Sequence, residues 1–279
     1  MNPLADLRAF LAGTRKELRI VRRYPTLVTG LLFWPVVLPA ATVLMGRAYS
    51  GGNDPRAIQA FAERSGTAEV AGFVFVGYSM YMWLSALLWG PGTALRQEQM
   101  RGSLEAVFLT PASRLVPLFA PPAAHLPYAV AQFGVMGVAL WALFGIVIPL
   151  DAALRALVVV AVGIPVMYAI GSLFAAAVLR FGEIGPVVQL VRGIFVLACG
   201  ITFPVVMLPA WAQAIAVALP PTYIVADLRS VLLRGIGLDG IAGDLILLVA
   251  FAALIALLAT LLFRVLERSA RRDGMLGRY

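Results

Sequence analysis

Apolar residues in this chain fall into long unbroken blocks, with the polar positions gathered into short segments between them. A helix needs about 20 apolar residues to cross the hydrocarbon of a bilayer. By that measure the pattern predicts six spans. They are Thr26 to Gly46, Val70 to about Gly92, a third within Leu115 to Ile148 starting near Pro121, Ala156 to Leu179, a fifth beginning near Pro186, and Leu245 to Phe263. Blocks so long and uniform suit helices, whose backbone bonds are satisfied internally, and not barrel strands. The expected fold is an all-α integral membrane protein, with residues 1–279 forming one transmembrane domain.

Two places depart from this pattern. Leu95 to Pro111, LRQEQMRGSLEAVFLTP, reads as a short polar helix between the second and third spans. A bare reversal of direction needs no such segment. Glu98 and Glu105 are seven residues apart and share a helix face, with Arg101 three and four residues from them and Arg96 nearby. Gly102 either allows close backbone approach or opens a helix with Ser103 as its N-cap. Each charge alone reads as a solvated position, whereas the set suits docking to something outside the bilayer.

The second departure is the charge-free stretch Gly193 to Ala226, too long for one span and too short for two with an ordinary loop. Pro204, Pro209, Pro220 and Pro221 interrupt it. Two half-helices dipping back from the outer face over residues 203–223 absorb the surplus; a Pro-kinked helix with a hydrophobic outer loop is the alternative. Irregular backbone at that depth needs cover from protein or from a water-filled cavity. Ahead of the first span, residues 1–25 set Leu4, Leu7, Leu11, Leu18 and Val21 on one helical face, flanked by Arg8, Arg15, Arg19 and Arg22. That is an amphipathic helix lying in the interface. It serves either as a basic anchor or as a support for a cytoplasmic partner docked nearby.

Composition agrees with the pattern: 61% of residues are hydrophobic, 13% are charged and the mean hydropathy is +0.91. Charge supplies the orientation. Of the 22 Lys and Arg residues, fifteen fall in the termini and the second and fourth inter-span loops. Six fall in the other loops, namely Arg47, Arg56, Arg64, Arg155, Arg229 and Arg234, which leaves Arg192 inside the fifth block. The positive-inside rule then puts both termini in the cytoplasm of a multi-pass protein of the cytoplasmic (inner) membrane. The net charge of +8 reflects residues next to membrane ends and is explained by anionic lipids, so no nucleic-acid partner is expected. A cleaved signal peptide is not expected either, because the first apolar run follows a helical segment and is too long.

Candidate chemistry is sparse. Cys199 and His125 are the only residues of their kinds, which excludes intrachain disulfides and cysteine-based metal sites, and no paired intramembrane carboxylates are expected. His125 reads as a packed or interfacial histidine, and Arg192 as a side chain that snorkels to the inner surface beside Glu183. No catalytic constellation can be assembled. No GxxxxGK[ST] phosphate loop is present, so nucleotide hydrolysis would have to occur on another polypeptide. Gly30, Gly134, Gly137, Gly145, Gly163 and Gly171 offer small surfaces for close helix packing.

The two departures together resemble the permease subunits of ABC-2 type exporters. Glu98, Gly102, Ser103 and Glu105 fit the pattern E-x-x-x-G-[ST]-x-E, and Thr110 and Pro111 follow as a T-P pair. Gly200, Phe203 and Pro204, then Leu208, Pro209 and Trp211, then Leu219, Pro220, Thr222 and Tyr223 match a G-x-x-F-P, L-P-x-W, L-P-x-[TS]-Y progression. Leu228, Arg229 and Gly235 continue it, while a second proline, Pro221, departs by stiffening the outer turn.

The resemblance implies a permease paired with a second permease as a homo- or heterodimer. It also implies two ATP-binding subunits that carry ATP and Mg and grip the Leu95 to Pro111 segment. Glu98, Arg101, Gly102, Ser103, Glu105, Thr110 and Pro111 would couple to the ATPase. Gly200, Phe203, Pro204, Pro209, Trp211, Pro220, Pro221 and Tyr223 would form the outer gate. The exported substrate would be hydrophobic or amphipathic: a drug, a lipid or a lipid-linked glycan. An ion-coupled transporter and a membrane-embedded lipid-modifying enzyme are the rival readings. The first would bury ionisable groups near the midplane and the second would cluster catalytic side chains, and neither pattern is expected here.

Overall fold

A computed structural model describes residues 3–23, 25–49, 54–100, 102, 116–124, 126–178 and 185–272, and all regular structure among them is helical. Helix α1, Pro3–Arg23, precedes α2, Pro25–Tyr49, which contains the first expected span. The following loop carries a helix that the hydropathy pattern did not predict: α3, Pro55–Ser65. Its ends are written locally. The Asp54 side chain accepts from the Arg56 N–H at 3.0 Å, proline occupies the first turn, and Gly66 closes the helix at φ 74°.

Helix α4, Val70–Trp89, is buried along nearly its whole length, because it is apolar on every side and occupies the middle of the bundle. Phe75, Met80, Trp83 and Leu84 lie at its packed centre. Neighbouring helices touch it on all sides, and Gln132 crosses to it, donating a buried hydrogen bond to the Ser79 carbonyl. After one break at Gly90 the chain continues directly into α5, Pro91–Met100. The expected coupling segment therefore begins as a continuation of the second span, with proline at the first position of the new helix.

The third apolar block is divided into α6, Val116–Ala124, and α7, Leu126–Phe144. Helix α8, Leu150–Val178, is the fourth expected span. Helix α9, Gly185–Ala198, starts where the fifth span was expected but has only 14 residues, a rise of about 21 Å against roughly 30 Å of hydrocarbon. Two half-helices follow, α10, Ala210–Val217, and α11, Pro220–Leu233, bent by 88° at their junction. The last helix, α12, Ala242–Arg272, packs along α8.

Among the described residues, four stretches are long and apolar enough to cross a membrane: Val70–Met100, Pro127–Phe144, Leu150–Ala177 and Leu238–Val265. The bent α10–α11 pair brings the number to five if it counts as one span. The architecture is an all-α, multi-pass membrane bundle. In the stretch where the fifth span was expected, α9 is followed by the pair α10–α11, bent by 88°. Arg192 is half-buried. Its guanidinium donates to Ser85 Oγ at 2.9 Å, to Gln189 Oε1 at 3.0 Å and to Tyr81 OH, so it joins α9 to α4. Its expected companion Glu183 lies outside the described residues, as does His125.

Gly77 sets how closely α4 meets the turn after α9. A Cβ placed there would overlap the Ile201 carbonyl oxygen and come within 2.7 Å of an Arg229 nitrogen. Gly77→Ala is therefore expected to destabilise the protein by about 1–3 kcal/mol, the usual cost of overpacking. Gly193→Ala, where a Cβ would meet nothing within 4 Å, is expected to leave stability unchanged or slightly raised. Thermal unfolding of both variants in detergent checks this.

Candidate functional site

A helix that ends within apolar surroundings leaves its last carbonyls without donors. Helix α9 does so at Ala198, where the chain turns sharply: Gly200 takes φ 68°, which glycine tolerates and other residues resist. The carbonyls of this turn are served by Arg229, one turn from the end of α11. Its Nη1 donates to the Gly200 carbonyl at 2.6 Å and its Nη2 to the Ile201 carbonyl at 2.9 Å. Nη2 and Nε also reach the Phe73 carbonyl near the start of α4, at 2.9 and 3.2 Å. The guanidinium lies 3.3 Å from the centroid of the Phe73 ring, and the residue is only 9% exposed.

Counting Arg229 among the outer-loop charges was thus incorrect. Its side chain is a buried donor that ties together α4, α11 and the turn after α9. A rigid five-donor fork can serve several carbonyls at once, which explains why arginine stands here. The clue in the sequence was a lone cation at the apolar end of the Leu219 to Leu233 segment.

The residues expected to form the outer gate are gathered around this turn. Pro204 begins a short 3-10 turn at Val205–Met207, and Pro209 precedes α10. Gln213 Nε2 closes that loop by donating to the Leu208 carbonyl at 2.8 Å. Across the 88° bend, Thr222 Oγ1 donates to the Ala216 carbonyl at 2.7 Å and Tyr223 OH to the Val217 carbonyl at 2.8 Å. The Ala216 carbonyl also accepts the Leu219 N–H at 3.1 Å, so Thr222 adds a second donor there while Tyr223 serves Val217, which gives the Leu-Pro-Pro-Thr-Tyr run a physical meaning. Pro220 and Pro221 are both buried in the first turn of α11, where no amide hydrogen is required, so the second proline fits without disturbing the helix. Phe203 is half-buried, and Trp211 is 70% exposed.

At the other end of α4, α5 carries Glu98 to α1, where its carboxylate pairs with Lys16. Thr14 Oγ1 donates to the Ala120 carbonyl of α6 at 3.5 Å, and a Cβ at Gly13 would lie 3.0 Å from the Ala120 Cβ, so α1 lies against α6. Within α5, Arg96 Nη1 donates to Gln99 Oε1 at 2.7 Å and Gln97 Nε2 to Thr93 Oγ1 at 2.9 Å. Gly102 follows at φ 70°, its N–H bonded to the Gln99 carbonyl at 3.0 Å. It closes α5. Arg101, Ser103, Glu105, Thr110 and Pro111 lie outside the described residues. Of the expected coupling charges, Glu98 is thus engaged within the chain itself.

Residues 9–233, from α1 to the last turn of α11, match the family described as ABC-2 type transporter. The chain belongs to the ABC-2 type transporter family. Comparison with curated proteins gives no match. This ABC-2 chain is a membrane-embedded, permease-type transport subunit and not an enzyme. Permeases of this family pair with ATP-binding cassette subunits.

The fold of this permease also brings together two carboxyls that the sequence left apart. Asp227, 1% exposed on α11, lies beside Asp244 in the first turn of α12. Among the described residues no group of three or more His, Cys, Asp or Glu gathers as a metal site.

Replacing Arg229 tests the hub. Arg229→Met leaves the carbonyls of Phe73, Gly200 and Ile201 without this donor. At about 1 kcal/mol or more for each, it is expected to cost about 3 kcal/mol. Arg229→Lys should recover only part of that, since an ammonium lacks the planar fork. Unfolding of the purified variants in detergent provides the measurement.

Proposed function

We infer that this permease forms the passage of an ATP-driven exporter in the cytoplasmic membrane, with both termini and the α5 elbow on the cytoplasmic side and the turn at residues 200–223 on the outer side. Two such permeases face one another and two ATP-binding subunits grip the elbows. On this reading residues 1–279 act as one unit with six passages through the bilayer, the fifth completed by the re-entrant α10–α11 pair. The cargo is a hydrophobic or amphipathic molecule that leaves between the permease halves past Phe203, Trp211 and Tyr223.

The observation that carries this reading is the helical line from Val70 to Met100. Its outer end holds the Arg229 hub through Phe73, and its inner end is joined to α1 through Glu98 and Lys16. A push on the elbow would travel along a packed helix to the residues of the outer turn, as expected of a rigid element with one grip at each end. The Lys and Arg excess in the segments placed inside supports the same orientation.

Reversing both expected docking charges, with Glu98→Lys and Glu105→Lys, should uncouple ATP hydrolysis from transport in the reconstituted complex while the permease stays folded. Glu98→Lys alone also breaks the internal pair with Lys16, at a cost of about 1 kcal/mol or less. Adding Lys16→Glu restores that pair while leaving the outward charges reversed. If the triple variant transports and hydrolyses ATP as the native complex does, the docking role is refuted.

A further inference from the structure

Helix α4 is covered almost everywhere by its neighbours: between Ala71 and Leu88 only Tyr78, Tyr81 and Met82 are not buried. Counted from Tyr78, the residues Tyr81, Met82, Ser85 and Trp89 lie three, four, seven and eleven positions on, which sets all five on one helical face. The open side of an otherwise apolar helix thus carries two phenols and a serine.

This strip runs between α2 and α9, both of which pack on α4. Tyr78 OH is hydrogen-bonded to Thr42 Oγ1 of α2 at 3.1 Å, and the Tyr78 and Tyr81 rings meet edge to face at 6.2 Å. From α9, Arg192 Nε donates to Ser85 Oγ at 2.9 Å, Nη1 to Gln189 Oε1 at 3.0 Å and Nη2 to Tyr81 OH. The guanidinium lies 4.8 Å from the centroid of the Tyr81 ring.

Every one of these partners is neutral. They occupy three of the five guanidinium N–H groups and fix the fork in place, but they do not balance its charge. Residues 26–46, 70–92 and 186–226 contain no Asp or Glu, so the same helices of a second copy would not supply an anion at this depth either. A cation among neutral groups within an apolar bundle is costly to keep, and the chemistry complementary to it is a single negative charge on a bound molecule.

We propose that the open strip of α4 is a binding site for a single-chain amphiphile with one anionic head group, a carboxylate or a phosphate, received by Arg192. Its apolar part lies along Met82, which is half-buried, and Trp89, which is 44% exposed, on the same face. Ser85 and Tyr81 position the fork beforehand, so the head group meets donors that need no further ordering. That the bound molecule is cargo rests on the exporter reading above; that it binds here does not.

The test uses the purified permease in phosphatidylcholine nanodiscs and two probes, 11-(dansylamino)undecanoate and its uncharged methyl ester. Saturable energy transfer from tryptophan to dansyl is the readout. The native protein should bind the carboxylate more tightly than the ester by roughly tenfold. Arg192→Gln should remove that preference and leave ester binding unchanged. Gln189→Glu, at an exposed position, gives Arg192 an anion of its own and should remove the preference too, which keeps the test open if the first variant does not fold. The proposal is overturned if the native protein shows no preference, since the strip is then covered by a second copy, or if either folded variant retains it. Displacement of the carboxylate probe by phosphatidylglycerol added to the discs also overturns it, because the site then holds a bilayer lipid. Binding is read on the permease alone, so a failure of ATP-driven export would refute the exporter reading and leave this site standing.

Discussion

Backbone groups at membrane depth must find partners within the protein, and this fold departs from simple spanning helices only where it supplies them. Arg229 is the largest such provision. By donating to three carbonyls on two separate segments, it allows α9 to stop at Ala198 and the chain to turn there with the carbonyls of Gly200 and Ile201 satisfied. Thr222 and Tyr223 do the same on a smaller scale for the end of α10. Arginine suits the larger task because it is a flat fork of donors, and the Phe73 ring beneath it covers the charge where no anion is at hand.

That hub gives the bundle its mechanical sense. Phe73 lies near one end of α4, and the continuation of α4 through Gly90 into α5 places Glu98 against α1 at the other. The most completely buried helix of the bundle is therefore the one that joins the two regions in which the family resemblance finds its motifs. A helix packed on all sides moves as a body or not at all. The elbow includes α1 as well as α5, so the amphipathic N-terminal helix is a structural member of the region proposed to meet the ATPase.

Much of the fold was legible because bilayer thickness imposes a length on apolar blocks. The blocks from Val70, Ala156 and Leu245 became α4, α8 and α12, and the prolines at 204, 209, 220 and 221 marked the interrupted stretch correctly. What failed to show was tertiary. Hydropathy cannot tell a charge in a loop from one buried at the end of an apolar helix, so the burial of Arg229 does not show in the pattern. The contact of Asp227 with Asp244 joins residues from two helices whose approach no local pattern encodes. Helix α3 was missed because it is polar and short, although its Asp54 cap, its Pro55 and its closing Gly66 are sequence signals that could have found it. The outer motif was recognisable, but the reason for its Thr-Tyr ending became visible only once the 88° bend set those side chains over the last carbonyls of α10.

The central claim is that the α5 elbow faces the compartment of the ATPase while α3 faces the opposite side. Single cysteines at Met100, exposed at the end of α5, and at Ala57, exposed on α3, read this directly, since the native Cys199 is buried and stays silent. In sealed right-side-out vesicles a membrane-impermeant maleimide should label Ala57→Cys at once and Met100→Cys only after the membrane is opened with detergent. Labelling of Met100→Cys in the sealed vesicles, with Ala57→Cys protected, would contradict an inward elbow and with it the coupling of this permease to an ATPase from that side.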